Sequence, residues 1–354
     1  MLEKVLNFPL YFAIPGDINH LTGGYGYDRR LITELIKIGF TLEHLSFADS
    51  FPQPTKEALR DAESQLANLP DDSIVLIDGL AFGVMDDIAQ RHSNRLKIIA
   101  LCHHPLALEN GLSPEQAQPL HTSEQRALTC AHAVLVTSDN TARILQQDFA
   151  VPEHKITVAV PGTDKQSFAP CIGNPPILLT VATLTQRKAH DILIDALAQI
   201  AHLPWQARFV GGDNFDVNWA NHLREKVAAY SLAERIHFVG NVADLTHEYA
   251  QADLFVLPSL FEGYGMAFAE ALSFGLPIIA ARTGAVPDLV PESAGILVPP
   301  ADATALAKSL NEILGNPAQR KQLQLGALRA AQTLTTWADT ARIVVDLIQK
   351  VSKQ

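Results

Sequence analysis

Along this chain, short apolar runs of strand length alternate with stretches in which apolar residues recur every three or four positions. The first pattern predicts buried strands and the second amphipathic helices. In the first half it predicts strands at Leu10–Ile14, Thr41–Phe47, Ser73–Ile77, Leu96–Leu101, Ala133–Val136 and Lys155–Val160, with helices at Tyr27–Ile38, Lys56–Ala67, Val84–Arg91, Pro114–Cys130 and Thr141–Phe149. The segment from Pro161 to Pro176, with Gly162, Pro170, Gly173 and Pro175 inside it, breaks this rhythm and reads as a linker. Strands then resume at Ile177–Ala182, Ala207–Val210, Ile236–Val239, Leu254–Leu257, Pro277–Ala281 and Ile296–Val298. Such alternation implies parallel, doubly wound sheets, hence an α/β chain of two Rossmann-like units in tandem. Ligands of these sheets bind outside the carboxyl ends of the strands, so a deep cleft between the two units is the expected site. Three helical patterns close the chain, at Ala303–Leu314, Pro317–Thr333 and Thr336–Val351. The last carries an apolar face at Ile343, Val344, Leu347, Ile348 and Val351 that needs a surface to cover, and packing back across the first domain is expected.

Composition narrows the class without naming a substrate. With 354 residues the chain exceeds one ordinary core, and two domains of roughly 150 to 200 residues are expected. Its 27 basic and 38 acidic residues give a net charge of -11, which argues against nucleic acid as a partner and provides no polybasic membrane anchor. No stretch approaches the roughly 20 apolar residues of a membrane span, and with Glu3 and Lys4 near the start and no long uninterrupted apolar run there, no secretory signal is expected. Peripheral membrane contact stays open, and the composition sets no oligomeric state. Cys102, Cys130 and Cys171 are odd in number and far apart, as expected of reduced cytoplasmic thiols without a disulfide.

The richest chemistry lies in Phe261-Glu-Gly-Tyr-Gly-Met-Ala-Phe-Ala-Glu270. A strand at Leu254–Leu257, a turn at Gly263 and Gly265, and a helix over Met266–Phe274 would set Glu262 just before a helix N-terminus and Glu270 about one turn inside it. Helix N-termini present unpaired N–H groups and favour anions such as a diphosphate. Two carboxylates beside such a site need cations or hydroxyls as partners, and sugar and ribose hydroxyls suit them because an ionised carboxylate only accepts hydrogen bonds. Arg187 and Lys188, after the strand Ile177–Ala182, are cations placed to neutralise a leaving diphosphate. His103 and His104 end the strand Leu96–Leu101. A metal site there is disfavoured, because neighbouring histidines on an extended chain point apart and no Cys or second His pair stands at ligand spacing. Gly23, Gly24 and Gly26 read as a loop between the first strand and the first helix that would allow close backbone approach to a ligand, with His20 and Asp28 as candidate acceptor contacts. Asp164 reads as a hinge residue, Asp213 and Asp216 as loop residues near the mouth of the cleft.

The run from Asp253 to Leu272, with Gly275-Leu-Pro-Ile-Ile-Ala-Ala281, Gly284-Ala-Val-Pro-Asp-Leu-Val290 and Gly295-Ile-Leu-Val-Pro-Pro-Ala-Asp302, resembles the nucleotide-sugar site of family 4 retaining glycosyltransferases, glycosyl transferases group 1. The resemblance extends to Leu178–Leu197 and more weakly to Thr22-Gly-Gly-Tyr-Gly26 and Pro161-Gly-Thr-Asp164. It implies a GT-B architecture of two Rossmann-like domains facing across a cleft. Residues 1–164 would bind the acceptor, 165–334 the donor, and 335–354 would form a helix returning to the first domain. It further implies that Glu262 contacts the transferred sugar and Glu270 the ribose, that the backbone of Gly263, Tyr264, Gly265, Met266 and Ala267 meets the diphosphate, and that one of His103 and His104, with His103 favoured, lies beside the sugar. Gly24, Arg187 and Lys188 complete the donor contacts. The family has Gly-Arg directly after the strand, where this chain has Ala182-Thr183; Lys188 matches the family lysine, and either Arg187 substitutes for the arginine or phosphate is held more weakly.

The expected activity is therefore transfer of a sugar, with retention, from a UDP-, GDP- or ADP-sugar to a hydroxyl on a small-molecule, glycan or lipid acceptor. The nucleotide sugar is a co-substrate and no further cofactor is expected. The chain contains no Asp-x-Asp element, which favours metal-independent transfer. A nucleotide-sugar epimerase, a phosphorylase and a non-catalytic nucleotide-sugar-binding protein of the same fold are the alternatives. Donor base, sugar and acceptor are set by side chains that the motif does not include.

Overall fold

The structure, a computed structural model, describes residues 9–109 and 111–354; Glu3 and Lys4, on which the expectation about a leader rests, lie outside the described residues. The chain divides into two units: residues 9–20, 24–162 and 335–354 form the first, and Leu21–Gly23 with Thr163–Leu334 the second. Among the described residues no helix is long and apolar enough to cross a membrane.

The first unit contains strands β1 (Leu10–Pro15), β2 (Leu42–Phe47), β3 (Ile74–Asp78), β4 (Lys97–Cys102), β5 (Ala133–Val136) and β6 (Ile156–Val158), all parallel, in the order β2-β1-β3-β4-β5-β6. The strand order reverses at β1 and β3. Residues alternate between faces, so Ala13, Val75, Ile77, Ile98 and Ala100 enter one core while Phe12, Ile14, Leu76 and Ile99 are buried on the other side. The final helix, Trp337–Ser352, packs against β3, β5 and β6 and buries Val344, Leu347, Ile348 and Val351. A capping box of Thr336 and Asp339 starts it, and the Thr340 hydroxyl donates to the Val160 carbonyl at 2.7 Å. Gly162 lets the chain pass this helix start: a Cβ there would stand 2.2 Å from the Trp337 nitrogen.

The second unit contains β7 (Ile177–Val181), β8 (Gln206–Val210), β9 (Ile236–Gly240), β10 (Leu254–Leu257), β11 (Ile278–Ala281) and β12 (Gly295–Val298), again parallel, in the order β12-β11-β10-β7-β8-β9. Its order reverses between β7 and β10. Leu178, Val256 and Ile279 face one core and Leu179, Phe255, Leu257 and Ile278 the other, which explains why these strands read as unbroken apolar runs. Buried Asp253 anchors the end of the linker by accepting from the backbone nitrogens of Gly173 and Ile177, each at 2.7 Å.

Several elements differ from the pattern-based reading. The first helix begins at Gly23, so the three glycines form its opening turns instead of a loop. A helix at Val217–Ala229, absent from that reading, follows β8; Asp213 and Asp216 lie in the loop before it, as expected, where Asp216 is its N-cap, accepting from Trp219 N, and Asp213 pairs with Arg224 from that helix. Residues expected to continue one helix to Thr333 instead form the helix Pro317–Ala330 and a 3-10 turn at Ala331–Thr333.

Candidate active site

A doubly wound sheet leaves a crevice where its strand order reverses, because the connections from the two central strands run to opposite faces. In the second unit this point lies between β7 and β10. Arg187 and Lys188 occupy a 3-10 turn after β7, and Glu262 the loop after β10. Lys188 Nζ donates to Glu262 Oε1 at 2.7 Å, and Arg187 Nη1 lies 3.8 Å from Glu262 Oε2. Glu262 is buried. Burial alone would raise its pKa, but the Lys188 and Arg187 cations override this and hold it below the ordinary value. Arg187 also secures the loop: its side chain donates to the Phe261 carbonyl at 3.0 Å and its own carbonyl accepts from Leu260 at 2.8 Å. The turn after β11 grips from the other side. Thr283 Oγ1 donates to the Leu260 carbonyl at 2.8 Å and Ala285 N to the Glu262 carbonyl at 3.0 Å. Gly284, at φ +53°, comes so close that a Cβ would meet the Glu262 carbonyl at 2.1 Å.

The expected helix runs Met266–Ser273. Gly265 precedes it at φ +91°, a conformation costly for any residue with a Cβ, and no side chain caps the first turn. Its opening N–H groups, from Met266 and Ala267, are the kind that bind an anion. One turn in, Glu270 Oε2 accepts from the Tyr249 hydroxyl at 2.8 Å, and Tyr249 is buried with its ring stacked on Phe274. Burial raises the Glu270 pKa to about 6; the Tyr249 hydrogen bond opposes the shift and the Asp164 charge adds to it. Asp164, read from sequence as a hinge residue, thus acts electrostatically on Glu270. Tyr264 is partly buried, and desolvation pushes its phenol up to about 12. Ala182 and Thr183, at the positions where the family resemblance expects Gly-Arg, run beside Val210–Gly212; Gly211 approaches so closely that a Cβ would stand 2.0 Å from the Ala182 carbonyl.

In the first unit the strand order reverses at β1 and β3, and the candidate residues follow β1, β3 and β4. Gly24 packs beside the His103 ring, its hypothetical Cβ 3.5 Å from Cδ2. His103 Nε2 lies 3.1 Å from Asp28 Oδ1 and 3.4 Å from Asp78 Oδ2. Asp28 was expected to touch an acceptor; it is 1% exposed and its reach is to His103. His104 Nε2 lies 3.9 Å from Glu109. His20 stands beside Tyr25, ring centroids 5.5 Å apart, and its carbonyl accepts from Arg29. Asp28, Asp78 and His103 offer three ligand atoms within 4.8 Å of one another, a spacing that a metal ion or a shared proton could bridge.

The sequence-derived candidates therefore form two groups. Arg187, Lys188, Glu262, Gly263–Ala267 and Glu270 belong to the second unit, while His20, Gly24, Asp28, His103 and His104 belong to the first. Two participants escaped the sequence reading. Asp78 ends β3 before Gly79, and a strand-terminal Asp in a parallel sheet was the signal available. Tyr249 lies in the five-residue helix Thr246–Ala250, too short to show a period.

Residues 163–327 match the family described as glycosyl transferases group 1. A D-inositol 3-phosphate glycosyltransferase from Kineococcus radiotolerans is 27% identical over 69% of this chain, which spans 62% of that relative's length. An MMP alpha-(1->4)-mannosyltransferase from Mycolicibacterium hassiacum is 25% identical over 89% of this chain and 80% of its own length. Among solved structures, a sucrose-phosphate synthase from Thermosynechococcus elongatus superposes with a TM-score of 0.81 at 22% identity, covering 97% of this chain and 99% of that one. This likeness shows the fold, two Rossmann-like domains of GT-B type.

Proposed function

We propose, from the match of residues 163–327 to the glycosyl transferases group 1 family, that the chain transfers a sugar from a nucleotide-diphosphate sugar to an acceptor hydroxyl, with retention and without a metal ion. The observation that carries this reading is the arrangement at the strand-order reversal: a buried Glu262 held by Lys188, an uncapped helix start, and Glu270 one turn inside it. Glu270 accepts from ribose hydroxyls, and the N–H groups of Met266 and Ala267 meet the diphosphate. Donor binding brings that diphosphate to Lys188, whose ammonium then divides between Glu262 and the phosphate oxygens. Glu262, loosened from Lys188, accepts from hydroxyls of the transferred sugar. As the bond between the anomeric carbon and the diphosphate breaks, Lys188 and the helix start stabilise the charge that develops. The acceptor oxygen bonds to the same face of the anomeric carbon, and its proton passes to the departing phosphate oxygen. Orientation and charge stabilisation carry the step, with no obligatory protein base. A glycan, lipid or small molecule supplies the hydroxyl, and a cytoplasmic setting agrees with three unpaired cysteines.

Incubation with a panel of radiolabelled UDP-, GDP- and ADP-sugars tests the reading. Slow release of free sugar of retained configuration from at least one donor, persisting in EDTA, is expected. Tight donor binding without any turnover would contradict transfer and favour a nucleotide-sugar-binding role.

A further inference from the structure

Within the second unit the linker lies against the helix Pro317–Ala330, at the closing end of the helix whose opening turn is the donor candidate. Ala169 ties these elements together. Its nitrogen donates to the Phe274 carbonyl at 2.8 Å, and its carbonyl accepts from the Gln324 side chain at 3.0 Å. Phe168 and Leu328 lie side by side, since a Cβ on Gly275 would stand 2.4 Å from Leu328 Cδ2 and 3.4 Å from Phe168 Cδ1. Lys321, Leu325 and Leu328 recur at helical spacing and so form one row along the helix beside the linker.

Apolar side chains protrude from this surface. Ile172 is 81% exposed, more than any other large hydrophobic side chain among the described residues, and Phe168 is 53% exposed; Leu325 is exposed as well. The turn that carries Ile172 is held on both sides, by Ala169 and by Gly173, whose nitrogen donates to Asp253 at 2.7 Å. Fixed backbone therefore presents the tip.

The charge around these tips is one-sided. No Asp or Glu occurs from Lys165 through Pro176 or from Ile313 through Ala338, while the same segments hold Lys165, Arg320, Lys321 and Arg329. Burial lifts the Cys171 thiol to about 12 and Asp253 adds to the rise, whereas Arg320 and Lys321 oppose it, which sets both cations near the turn. Asp253 is buried, with its two oxygens taken by backbone nitrogens, so its charge does not reach the surface. Lys321 donates to Gln324 at 2.8 Å, and one Arg320 nitrogen is buried without a hydrogen-bond partner. None of the four cations has an ion-pair partner among the described residues. In a chain of net charge -11 they form a segregated positive face. No basic run marks this face in the sequence, because the fold assembles it from two distant segments.

We propose that this face of the second unit docks on an anionic lipid surface, with Ile172, Phe168 and Leu325 entering the boundary between headgroups and acyl chains while Lys165, Lys321 and Arg329 meet lipid phosphates. The combination of features selects the occupant. A soluble polyanion would engage the cations and leave the apolar tips in water. A fluid interface closes around single protruding side chains, and its negative potential draws the cations that surround them. The proposal stands apart from the transfer reading, since none of these residues belongs to the donor candidates.

The test is co-sedimentation of the full chain with vesicles of phosphatidylcholine alone and of an equal mixture of phosphatidylcholine and phosphatidylglycerol. Binding to the mixed vesicles is expected, weakened at least about tenfold by omission of the anionic lipid or by high salt. Ile172→Ser and the double variant Lys321→Glu/Arg329→Glu should each weaken it by about tenfold or more. Melting temperatures equal to the wild type would show that these exposed substitutions leave the fold intact, and the wild-type comparison of the two vesicles needs no variant. Equal sedimentation with both vesicles, or with neither, would overturn the proposal. So would loss of binding in the charge variant with none in Ile172→Ser, which would mark adsorption of any polyanion. Concentration-dependent dimerisation that Ile172→Ser abolishes, without vesicle binding, would assign the face to a second copy of the chain instead.

Discussion

Lys188 and Glu262 lie 74 residues apart in sequence and 2.7 Å apart in space, and each makes the other's burial tolerable. Lys188→Met would leave the carboxylate buried with Arg187 at 3.8 Å as its remaining cation, and removing one member of a buried pair costs about 3 kcal/mol or more. Chemical denaturation should show that loss, and the double variant Lys188→Met/Glu262→Gln should lose less than the two single losses added. Glu270 carries a pH prediction. Its folded pKa of about 6 exceeds the ordinary 4.5, so its contribution to the stability of the unliganded protein is full below 4.5 and is lost as pH rises through 6. On the proposed reading donor binding should have the opposite dependence, because only an ionised carboxylate could accept from both ribose hydroxyls. Affinity measured by calorimetry should fall as pH drops through about 6, and Glu270→Gln should flatten that limb. Both glutamates were legible in the sequence, because their neighbours form a recognisable phrase. Tyr249 and Asp78 were not, since a hydroxyl or carboxylate acquires its role only when the fold brings a distant partner to it.

At the scale of elements, the turn after β11 serves the site as directly as any polar side chain. Gly284→Ala would place a Cβ 2.1 Å from the Glu262 carbonyl at a φ of +53°. It should lower the melting temperature by several degrees, corresponding to about 1–3 kcal/mol, and weaken donor binding although it removes no donor contact. On the final helix, Ile348→Ala should cost about 2–4 kcal/mol, because that side chain is buried within the first unit. The apolar face of this helix was visible as a 3.6-residue period, and its need for a covering surface followed from that period alone. The helix Val217–Ala229 was missed although Ala220, Leu223 and Val227 bury one face of it, because Gly211, Gly212, Asp213 and Asn214 before it signal a turn and polar residues fill the remaining positions. The start at Gly23 was missed for a related reason: glycines favour turns, yet the opening turn of a helix lets them bring the backbone beside His103.

On the scale of the whole molecule, the sequence pattern revealed two doubly wound units and their linker, because parallel strands buried on both faces leave unbroken apolar runs. It could not reveal the order of strands, since pairing depends on which connection crosses which face. That order decides which residues meet: it puts Lys188 after β7 beside Glu262 after β10, and Asp78 after β3 beside His103 after β4. A net charge of -11 adds a further expectation, that donor anions are drawn by local cations against an unfavourable overall field, so added salt should weaken binding only modestly. The central claim, that the second unit holds a nucleotide-diphosphate sugar through Glu270 and its helix, is tested most directly by thermal-shift titration of the wild type and Glu270→Ala with UDP-, GDP- and ADP-sugars. The account predicts a rise in melting temperature with at least one donor for the wild type, abolished in the variant; no shift with any donor, or an equal shift in both proteins, would contradict it.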